Sequence, residues 1–464
     1  MTERIVLDYN NMLAERIGEH GISSASIDTA ATRFSAVHAD TQQRRDSGEL
    51  GFLQLPYEHD VVEQIRSFAD GVGQAFDTVV VLGIGGSALG MSALLQALRP
   101  PRWNELDDEA REYFPKLYVL DNVDPVTVGA LLDRLDLRRT LFNVISKSGA
   151  TAETMAQYLV VRDRLQRELD EEGVRGHLIF TTDPEKGVLR RIAAAEQIST
   201  LPVPPAVGGR FSVLSAVGLL PAALVGIDVA ALLAGAADMI ERCGTSDLRA
   251  NPAALFAVLQ YLAQTEKGAP MHVMMPYSDQ LAGLSDWYCQ LWAESLGKRK
   301  DRAGRDVFRG PTPVSALGAT DQHSQVQLYM EGPFDKTITF LAVKQLDSDV
   351  AVPRLHEDIE DIAYLGGATL GSLLTAELHA TAAALSRNGR MNMRIEVPRV
   401  DAHAIGQLLM MLQIATVYAG GFYDVNPLDQ PGVELGKQLT YGLMGRSGFE
   451  EQKTDAPDPR WISA

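Results

Sequence analysis

Three hydroxyl groups and one ammonium group stand together between an apolar run, 141–145, and the start of a helical pattern. They belong to Ser146, Lys147, Ser148 and Thr151. At a turn from a strand into a helix, free backbone N–H groups and the helix dipole attract an anion, while hydroxyls and a lysine complete its contacts. We therefore interpret the segment as a cradle for a phosphate monoester.

The alternative for this segment is a simple helix cap. In that interpretation Thr151 begins the helix, with Glu153 or Thr154 in the first turn. A cap accounts for Thr151, but it leaves the other two hydroxyls and the lysine without a role. The anion cradle is therefore the preferred interpretation.

A glycine-rich turn, Gly-Ile-Gly-Gly-Ser at 83–87, follows another apolar run in the same way. With Ala88 it matches a variant of the dinucleotide fingerprint, which also requires an acidic residue about twenty residues further on. The nearest acidic residue at the end of the next apolar run is Asp121, which lies well beyond that spacing. We therefore expect Gly86 and Ser87 to approach a small polar ligand instead.

Arg210 and Glu294 are the residue types needed to remove a proton from a carbon beside a carbonyl group. Such a reaction uses one base near the carbon and one cation near the oxygen. Glu294 shares a helix face with Gln290 in an aromatic segment, 286–297, where partial desolvation suits a carboxylate to general-base work. Arg210 follows two glycines just before a helical stretch. The ordinary alternatives are a solvated helix face for Glu294 and a surface cap for Arg210.

Three further polar residues lie near the starts of helices in the second half of the chain. His323 ends a long, poorly periodic stretch, 298–323, and loops of this length are usually functional or disordered. Gln430 precedes a helix that carries Lys437, and the two side chains face similar directions. Solvated side chains are the ordinary interpretation of the histidine and the lysine.

Apolar runs alternate with helical patterns on both sides of a seam near 240–250, which predicts an α/β protein with two doubly wound parallel-sheet lobes. Residues 57–69 show helical spacing, and 201–210 is a loop by its proline and glycine content. The tail beyond Gly448 is polar and loosely held. The predicted strands are 78–82, 116–120, 140–145 and 177–181 in the first lobe, and 271–275, 337–343 and 391–397 in the second.

The composition is that of an ordinary soluble globular protein, and it narrows the functional classes. The 464 residues carry a net charge of −18, which argues against a nucleic-acid or anionic-membrane partner. We expect no signal peptide and no membrane span, since the longest apolar tract, 213–240, is broken by polar and helix-breaking residues into two buried helices. Two cysteines without metal-ligand spacing predict a reduced, cytoplasmic protein with no disulfide framework. Since no cluster of His, Asp or Glu has metal-ligand spacing, we expect no metal, and we also expect no other cofactor.

Five motifs in order resemble the phosphoglucose isomerase (glucose-6-phosphate isomerase) family, from about Val79 to Leu439. One such motif is weak evidence, but five in register are specific. Ala150, where threonine is common, and Pro431, where many relatives carry tryptophan, depart from the family at positions without a catalytic role. The motifs are Gly-Ile-Gly-Gly-Ser at 83–87, Ser-Lys-Ser-Gly-x-Thr-x-Glu at 146–153, Gly-Gly-Arg-Phe-Ser at 208–212, Gln-x-x-x-Glu at 290–294 with His323 downstream, and Asp-Gln-x-Gly-Val-Glu-x-x-Lys at 429–437.

The resemblance implies a fold of two sugar-isomerase (SIS) lobes, each an αβα sandwich, with extra N- and C-terminal helices and the active site between the lobes. Four regions follow: an N-terminal helical segment, a phosphate-binding lobe, a lobe with the base and the histidine, and a C-terminal helix and tail. Their expected bounds are 1–75, 76–245, 246–425 and 426–464.

The resemblance also implies roles for the site residues in the interconversion of glucose 6-phosphate and fructose 6-phosphate. Glu294 would carry a proton between C2 and C1, and Arg210 would stabilise the cis-enediolate. His323, supplied by the neighbouring subunit of a homodimer, and Lys437 would assist ring opening. The substrate and its phosphate would be held by Ser87, Gly86, Ser146, Lys147, Ser148, Thr151, Gly209, Gln290 and Gln430.

Two other functions fit parts of the pattern. A non-catalytic sugar-phosphate-binding regulator on the same lobes would keep the cradle, but it has no need of Arg210, Glu294 and Lys437 together. An NAD-dependent oxidoreductase would require the acidic partner that the glycine turn lacks. We therefore expect the isomerase.

Overall fold

The computed structural model describes residues 4–452 and 454. The expectations for residues 1–3, 453 and 455–464, which include the end of the predicted tail, lie outside the described residues. The described part of the chain contains α-helices, short 3₁₀ turns and β-strands arranged in two large sheets and one hairpin.

The β-strands, in chain order, are β1 Val6–Asp8, β2 Thr78–Leu82, β3 Lys116–Leu120, β4 Thr140–Ile145, β5 Leu178–Thr182, β6 Ser199–Pro202, β7 Met271–Pro276, β8 Lys298–Lys300, β9 Asp306–Arg309, β10 Thr312–Ser315, β11 Lys336–Gln345 and β12 Asn392–Arg399.

The α-helices are α1 Ala14–Ile17, α2 Ser24–Asp46, α3 His59–Asp70, α4 Leu89–Leu98, α5 Pro125–Leu132, α6 Ala152–Glu168, α7 Glu171–Gly176, α8 Val188–Glu196, α9 Ala216–Leu224, α10 Val229–Arg242, α11 Pro252–Lys267, α12 Ala282–Leu296, α13 Val326–Glu331, α14 Glu360–Ala363, α15 Leu370–Arg387, α16 Ala402–Tyr423 and α17 Glu434–Leu443.

The first sheet has the strand order β3-β2-β4-β5-β6, and its neighbouring strands are all parallel. β2 and β4 are buried along their whole length, as expected for strands with helices on both faces of the sheet. Since β2 lies between β3 and β4, the chain winds outward in both directions from the gap between β2 and β4. Ligands of such sheets bind at this gap, outside the carboxyl ends of the strands. The turns 83–87 and 146–151 follow these two strands.

The second sheet repeats the same winding. β10, β7, β11 and β12 are parallel in that order, and β7, the earliest of them in the chain, lies between β10 and β11. β1 adds an antiparallel edge strand beside β12. The two doubly wound parallel sheets confirm the predicted α/β class.

The helix α16 forms the centre of the core. Residues 404–420 of this helix are all buried, and it packs against α10, α11 and α12. Among the described helices it is the one long and apolar enough to cross a membrane, but 94% of its apolar window is buried inside the protein. We therefore interpret α16 as a core helix. The apolar tract 213–240 contains α9 and α10, which are the two buried helices predicted for it.

Several short strands lie where the sequence predicted loop or helix. β6 overlaps the predicted loop 201–210, and β1 lies in the segment predicted as helical. The stretch 298–323 is not one loop, because it contains the hairpin β8–β9 and the strand β10 beside β7. Strands of three or four residues are too short to show an alternating pattern, and they exist because a neighbouring strand pairs with them.

The seam predicted near 240–250 falls between α10 and α11. The N-terminal segment packs its long helix α2 against α11 and α16, so it contributes to the common core. The division of the chain into regions at 75, 245 and 425 stays a prediction.

Candidate active site

The turn after β4 is built as an anion site and not as a capped helix start. Thr151 occupies the N-cap position of α6, yet among the described residues its side chain accepts no N–H group from the first turn. Its hydroxyl lies 2.9 Å from Ser146 Oγ, which also accepts the Gly149 N–H at 3.1 Å. The first N–H groups of the seventeen-residue helix α6 therefore remain open, and they face the position where the helix dipole favours an anion.

The equivalent helix of the second lobe is closed to an anion. α15 follows β11 as α6 follows β4, but Thr369 and Ser372 form a capping box at its start. Asp349 in addition accepts the N–H of Gly371 at 2.8 Å. The Asp349 carboxylate thus occupies the place that a bound anion would take at α15, so the candidate phosphate site is the one in the first lobe.

Lys147 connects the cradle to the loop that leads to Arg210. Its Nζ donates to the carbonyl oxygens of Pro205 at 2.6 Å and Val207 at 2.9 Å. An ammonium group has three donors, so one remains for a ligand. Burial lowers the pKa of Lys147, and the nearby carboxylate of Asp183 opposes that shift. Ser148, by contrast, is exposed, and its Oγ accepts the N–H of Ala150 at 3.3 Å.

The glycine turn brings the first sheet into direct contact with the Arg210 turn. A Cβ atom added to Gly86 would lie 2.2 Å from the carbonyl carbon of Gly209, so only glycine permits this approach. Gly85 has a φ of +57°, and a Cβ there would lie 3.0 Å from Nε2 of Gln290. Ser87 is half-buried in the same turn. The glycine turn therefore lies at the gap between β2 and β4 and contacts both the Arg210 turn and α12.

Arg210 is almost completely buried and uses all of its donor nitrogens. Nη1 lies 3.1 Å from Glu294 Oε2 and 3.0 Å from Gln430 Oε1, and Nε donates to Ser295 Oγ at 2.6 Å. Nη2 donates to the carbonyl oxygens of Pro427 at 2.5 Å and Asp429 at 3.0 Å. Burial lowers the pKa of Arg210 while Glu294 opposes the shift, and a guanidinium keeps its charge in proteins. Arg210 is therefore not a surface cap.

Glu294 and Gln290 lie on the face of α12 that meets this arginine. The Glu294 side chain is 29% exposed and its partner Arg210 is 2% exposed, so the carboxylate is partly accessible whereas its cation is enclosed. Gln290 Oε1 is buried and has no hydrogen-bond partner among the described residues. Such an acceptor is available to a ligand hydroxyl. The other faces of α12 are buried through Trp287, Tyr288, Leu291 and Trp292.

Neither His323 nor Lys437 shares a hydrogen bond or ion pair with the Arg210–Glu294 cluster in the part of the chain that the structure describes. His323 is exposed in the short turn Thr320–His323, whose Gln322 is held by Tyr277 and Thr381 on the second lobe. Among the described residues it makes no hydrogen bond to Glu294 or Arg210. Lys437 is half exposed on α17 and pairs with Glu434, Nζ to Oε1 2.7 Å.

Lys298 is a buried site residue that the sequence interpretation missed. Its Nζ donates to the carbonyl oxygens of Glu294 at 2.7 Å and Asp429 at 2.6 Å. The sequence shows only that Lys298 lies one helical turn after Glu294 and directly after Gly297. A lysine at the end of a helix is usually solvated, so this position did not indicate a buried group.

Within the described residues no group of three or more His, Cys, Asp or Glu side chains is arranged to hold a metal ion. Cys243 is buried and Cys289 half-buried, and both are free. The expectation that the protein needs no metal or cofactor stays a prediction.

Comparison with known proteins places this arrangement in a family. Residues 57–456 match the family model described as phosphoglucose isomerase. A glucose-6-phosphate isomerase of Carboxydothermus hydrogenoformans is 46% identical over 98% of this chain and 99% of its own, and one of Rubrobacter xylanophilus is 44% identical over 96% and 99%. A solved structure of a Thermus thermophilus protein described as hypothetical superimposes with a TM-score of 0.83 at 37% identity, covering 95% of this chain and 100% of the other. The chain therefore belongs to the phosphoglucose isomerase family.

Proposed function

We propose that this protein is glucose-6-phosphate isomerase, an aldose–ketose isomerase that interconverts D-glucose 6-phosphate and D-fructose 6-phosphate in glycolysis and gluconeogenesis. The observation that carries the proposal is the pairing of Glu294 with the buried Arg210 beside the open cradle of α6. The named relatives cover nearly the whole chain and support the same activity.

The proposed reaction moves a proton between two neighbouring carbons of the open-chain sugar. Glu294 removes the proton from C2, and the electrons pass to the carbonyl oxygen at C1, which gives a cis-enediol(ate). Arg210 stabilises the developing negative charge, because a preorganised buried cation interacts strongly with charge that forms beside it. The hydroxyl proton on O2 passes to O1, and Glu294 returns its proton to C1 as the carbonyl group forms at C2. No step in this sequence requires an electron acceptor or a metal ion.

The proposed binding mode fixes the sugar at both ends. Ser146, Lys147, Ser148 and Thr151 hold the phosphate with the N–H groups of α6. Gly86, Ser87 and Gly209 line the wall beside the sugar, and Gln290 and Gln430 position its hydroxyl groups. Holding a substrate at two points lowers the entropic part of the barrier, which is how non-reacting groups assist the reaction.

A second copy of the chain completes the proposed site. His323 is exposed, and within the described residues it makes no hydrogen bond to Glu294 or Arg210 of its own chain. It is close to a cavity of about 730 Å³ that Thr320 shares with Leu346 and Leu370. The segment between β11 and α15 exposes Val350, Leu355, Ile359, Ile362 and Tyr364, a concentration of apolar surface that is typical of a protein contact.

Ring opening is assigned to His323 of one chain and Lys437 of the other in a homodimer. A histidine can pass a proton at neutral pH, and the ring oxygen and hydroxyl of the cyclic sugar need one proton donor and one acceptor. The reduced cysteines and the phosphorylated substrate are in keeping with a cytoplasmic location.

A non-catalytic sugar-phosphate-binding regulator is the other candidate. It needs the cradle, but nothing in such a role requires a carboxylate and a buried guanidinium 3.1 Å apart. The relatives bearing an isomerase name also make it the less favoured function.

A coupled assay with the full chain tests the proposal. Fructose 6-phosphate is offered with a glucose-6-phosphate dehydrogenase and NADP, with and without EDTA, and NADPH formation is followed. We expect equal turnover in both conditions. Binding of fructose 6-phosphate without any turnover would contradict the isomerase and favour the regulator.

A further inference from the structure

Lys298 places a second buried cation beside Arg210. Its side chain is 5% exposed, although it follows α12 directly and begins the exposed hairpin β8–β9. The aliphatic part and the ammonium group are both enclosed, so the group has lost most of its hydration. Burying a charge in this way is unfavourable unless hydrogen bonds satisfy it.

The hydrogen bonds of Lys298 connect two segments of the site. Nζ donates to the carbonyl oxygen of Glu294 on α12 at 2.7 Å and to that of Asp429 at 2.6 Å. The first bond holds the turn that carries the base. The second holds the segment 427–430, which carries Gln430 to Arg210.

Arg210 and Lys298 donate to the same oxygen. Arg210 Nη2 lies 3.0 Å from the carbonyl oxygen of Asp429, to which Lys298 also donates. Two cations at one acceptor repel each other, and the Asp429 carboxylate, Oδ1 3.4 Å from Nζ, offsets part of this. A neutral amide side chain would hold the segment without that repulsion.

We propose that Lys298 is a positioning residue for the isomerisation: it fixes segment 427–430 against the Glu294 turn, and with it the positions of Gln430 and Arg210. This inference rests on the proposed function. Among the residues that the structure describes, Lys298 makes no hydrogen bond to the cradle of α6, so it acts on the chemical step and not on phosphate binding. Burial and the charge of Arg210 both lower the pKa of Lys298, in agreement with an enclosed ammonium beside another cation.

The chain offers a matched control two residues away. Lys300 lies on the same strand β8, is 61% exposed and makes only surface contacts, to Gly304 and Asp306. Lys298→Met and Lys300→Met each remove one ammonium group and keep the aliphatic chain. A difference between them therefore reports the buried hydrogen bonds and not the loss of one positive charge from the protein.

The kinetic test compares kcat, KM for fructose 6-phosphate and the inhibition constant of inorganic phosphate. For Lys298→Met we expect kcat to fall by about 100-fold, since small displacements of catalytic groups have effects of that order. KM and phosphate inhibition should stay within about threefold of wild type, because the phosphate contacts lie on the first lobe. Lys300→Met should leave all three unchanged. A kcat within threefold of wild type, or an equal loss of phosphate affinity, would overturn the inference.

Amide hydrogen exchange, read by mass spectrometry on the full chain, separates this inference from the proposed function. We expect residues 424–433 to exchange faster in Lys298→Met and normally in Lys300→Met. Unchanged exchange in Lys298→Met would overturn the positioning role even if activity fell. If the wild type showed no isomerase activity, the proposed function would fail, and exchange would still decide whether Lys298 holds the segment. Should Lys298→Met not fold, Lys298→Gln is the second variant: its amide keeps neutral donors for the two carbonyl oxygens, so positioning by hydrogen bonds predicts normal exchange of residues 424–433 and a kcat within threefold of wild type. A large fall in kcat with normal exchange would overturn the inference.

Discussion

Nη1 of Arg210 lies 3.1 Å from Oε2 of Glu294, and the pair joins two segments that are 84 residues apart in the chain. The arginine is enclosed, whereas the carboxylate is partly reachable. A carboxylate held by a fixed cation has one orientation, and the same cation is in place for the charge that forms on a substrate oxygen.

Glu294→Gln should abolish isomerisation while substrate binding persists. The amide keeps the size of the side chain but cannot accept a proton from carbon, so kcat should fall by about 10³-fold, within the range found for general bases. The coupled assay gives kcat, and calorimetry gives the affinity for fructose 6-phosphate. Asp286→Asn, an exposed site on the same helix, is the control and should behave like wild type. Normal turnover in Glu294→Gln would remove the carboxylate from the mechanism.

Lys147→Met should weaken phosphate binding selectively. The ammonium group has one donor left for the ligand after its bonds to Pro205 and Val207. We expect KM for fructose 6-phosphate and the inhibition constant of inorganic phosphate to rise together by about tenfold or more, as for the loss of a charged hydrogen bond. An unphosphorylated sugar alcohol should inhibit both proteins equally. The exposed Lys186→Met is the matched control.

The pH dependence of KM should reflect the protonation of Lys147. Burial lowers the pKa of Lys147, so it loses its proton, and with it the charge that attracts phosphate, at a lower pH than an ordinary lysine. The phosphate ester is a dianion at the alkaline pH where a lysine titrates, because its second pKa is about 6. KM for fructose 6-phosphate should therefore begin to rise at a pH below the one at which an ordinary lysine, with a pKa of about 10.4, loses its proton. A parallel rise in Lys147→Met would assign the effect to another group.

Gly86→Ala should destabilise the protein and reduce its activity. The added methyl group would lie 2.2 Å from the Gly209 carbonyl carbon and 2.6 Å from the Arg210 nitrogen, both of which are backbone atoms. We expect a loss of about 1–3 kcal/mol in the free energy of unfolding, the usual range for overpacking. Gly129→Ala, where a methyl group meets nothing within 4 Å in the helix α5, should not destabilise. Denaturant unfolding measures both.

Mixed dimers should recover activity if His323 acts across the interface. Glu294→Ala and His323→Ala should each be inactive alone. After the two are unfolded together and reassembled, half of the randomly formed dimers are mixed and each has one intact site, so about a quarter of wild-type activity should return. Each variant reassembled alone is the control. Persistent inactivity of the mixture, with dimers present, would exclude the shared site.

Local sequence patterns determined the elements that carry the cradle. The strands 78–82, 116–120 and 140–145 have the predicted bounds, and the fourth, β5, begins one residue later than predicted. Most of their residues are apolar because helices cover both faces of the sheet, and these apolar runs can be recognised in the sequence. The hydroxyl-rich turn after β4 was also recognisable, because its polar groups lie within six residues of one another in the chain.

The short strands could not be predicted from local sequence patterns. The strands β1, β8, β9 and β10 have three or four residues each, and each is stabilised by pairing with another strand. In the folded chain Gln430 contacts Arg210 and Lys437 pairs with Glu434, and the role predicted for Lys437 stays a prediction.

The sequence alone thus determined which chemical groups this protein carries and on which strand ends and helix starts they lie. The tertiary structure decided which of them meet: Arg210 with Glu294, Gly86 with Gly209, and Lys298 with the carbonyl oxygens of two separate segments. The physical reason is that secondary structure follows from neighbours in the chain, whereas a buried charge is placed by the packing around it, to which distant segments contribute.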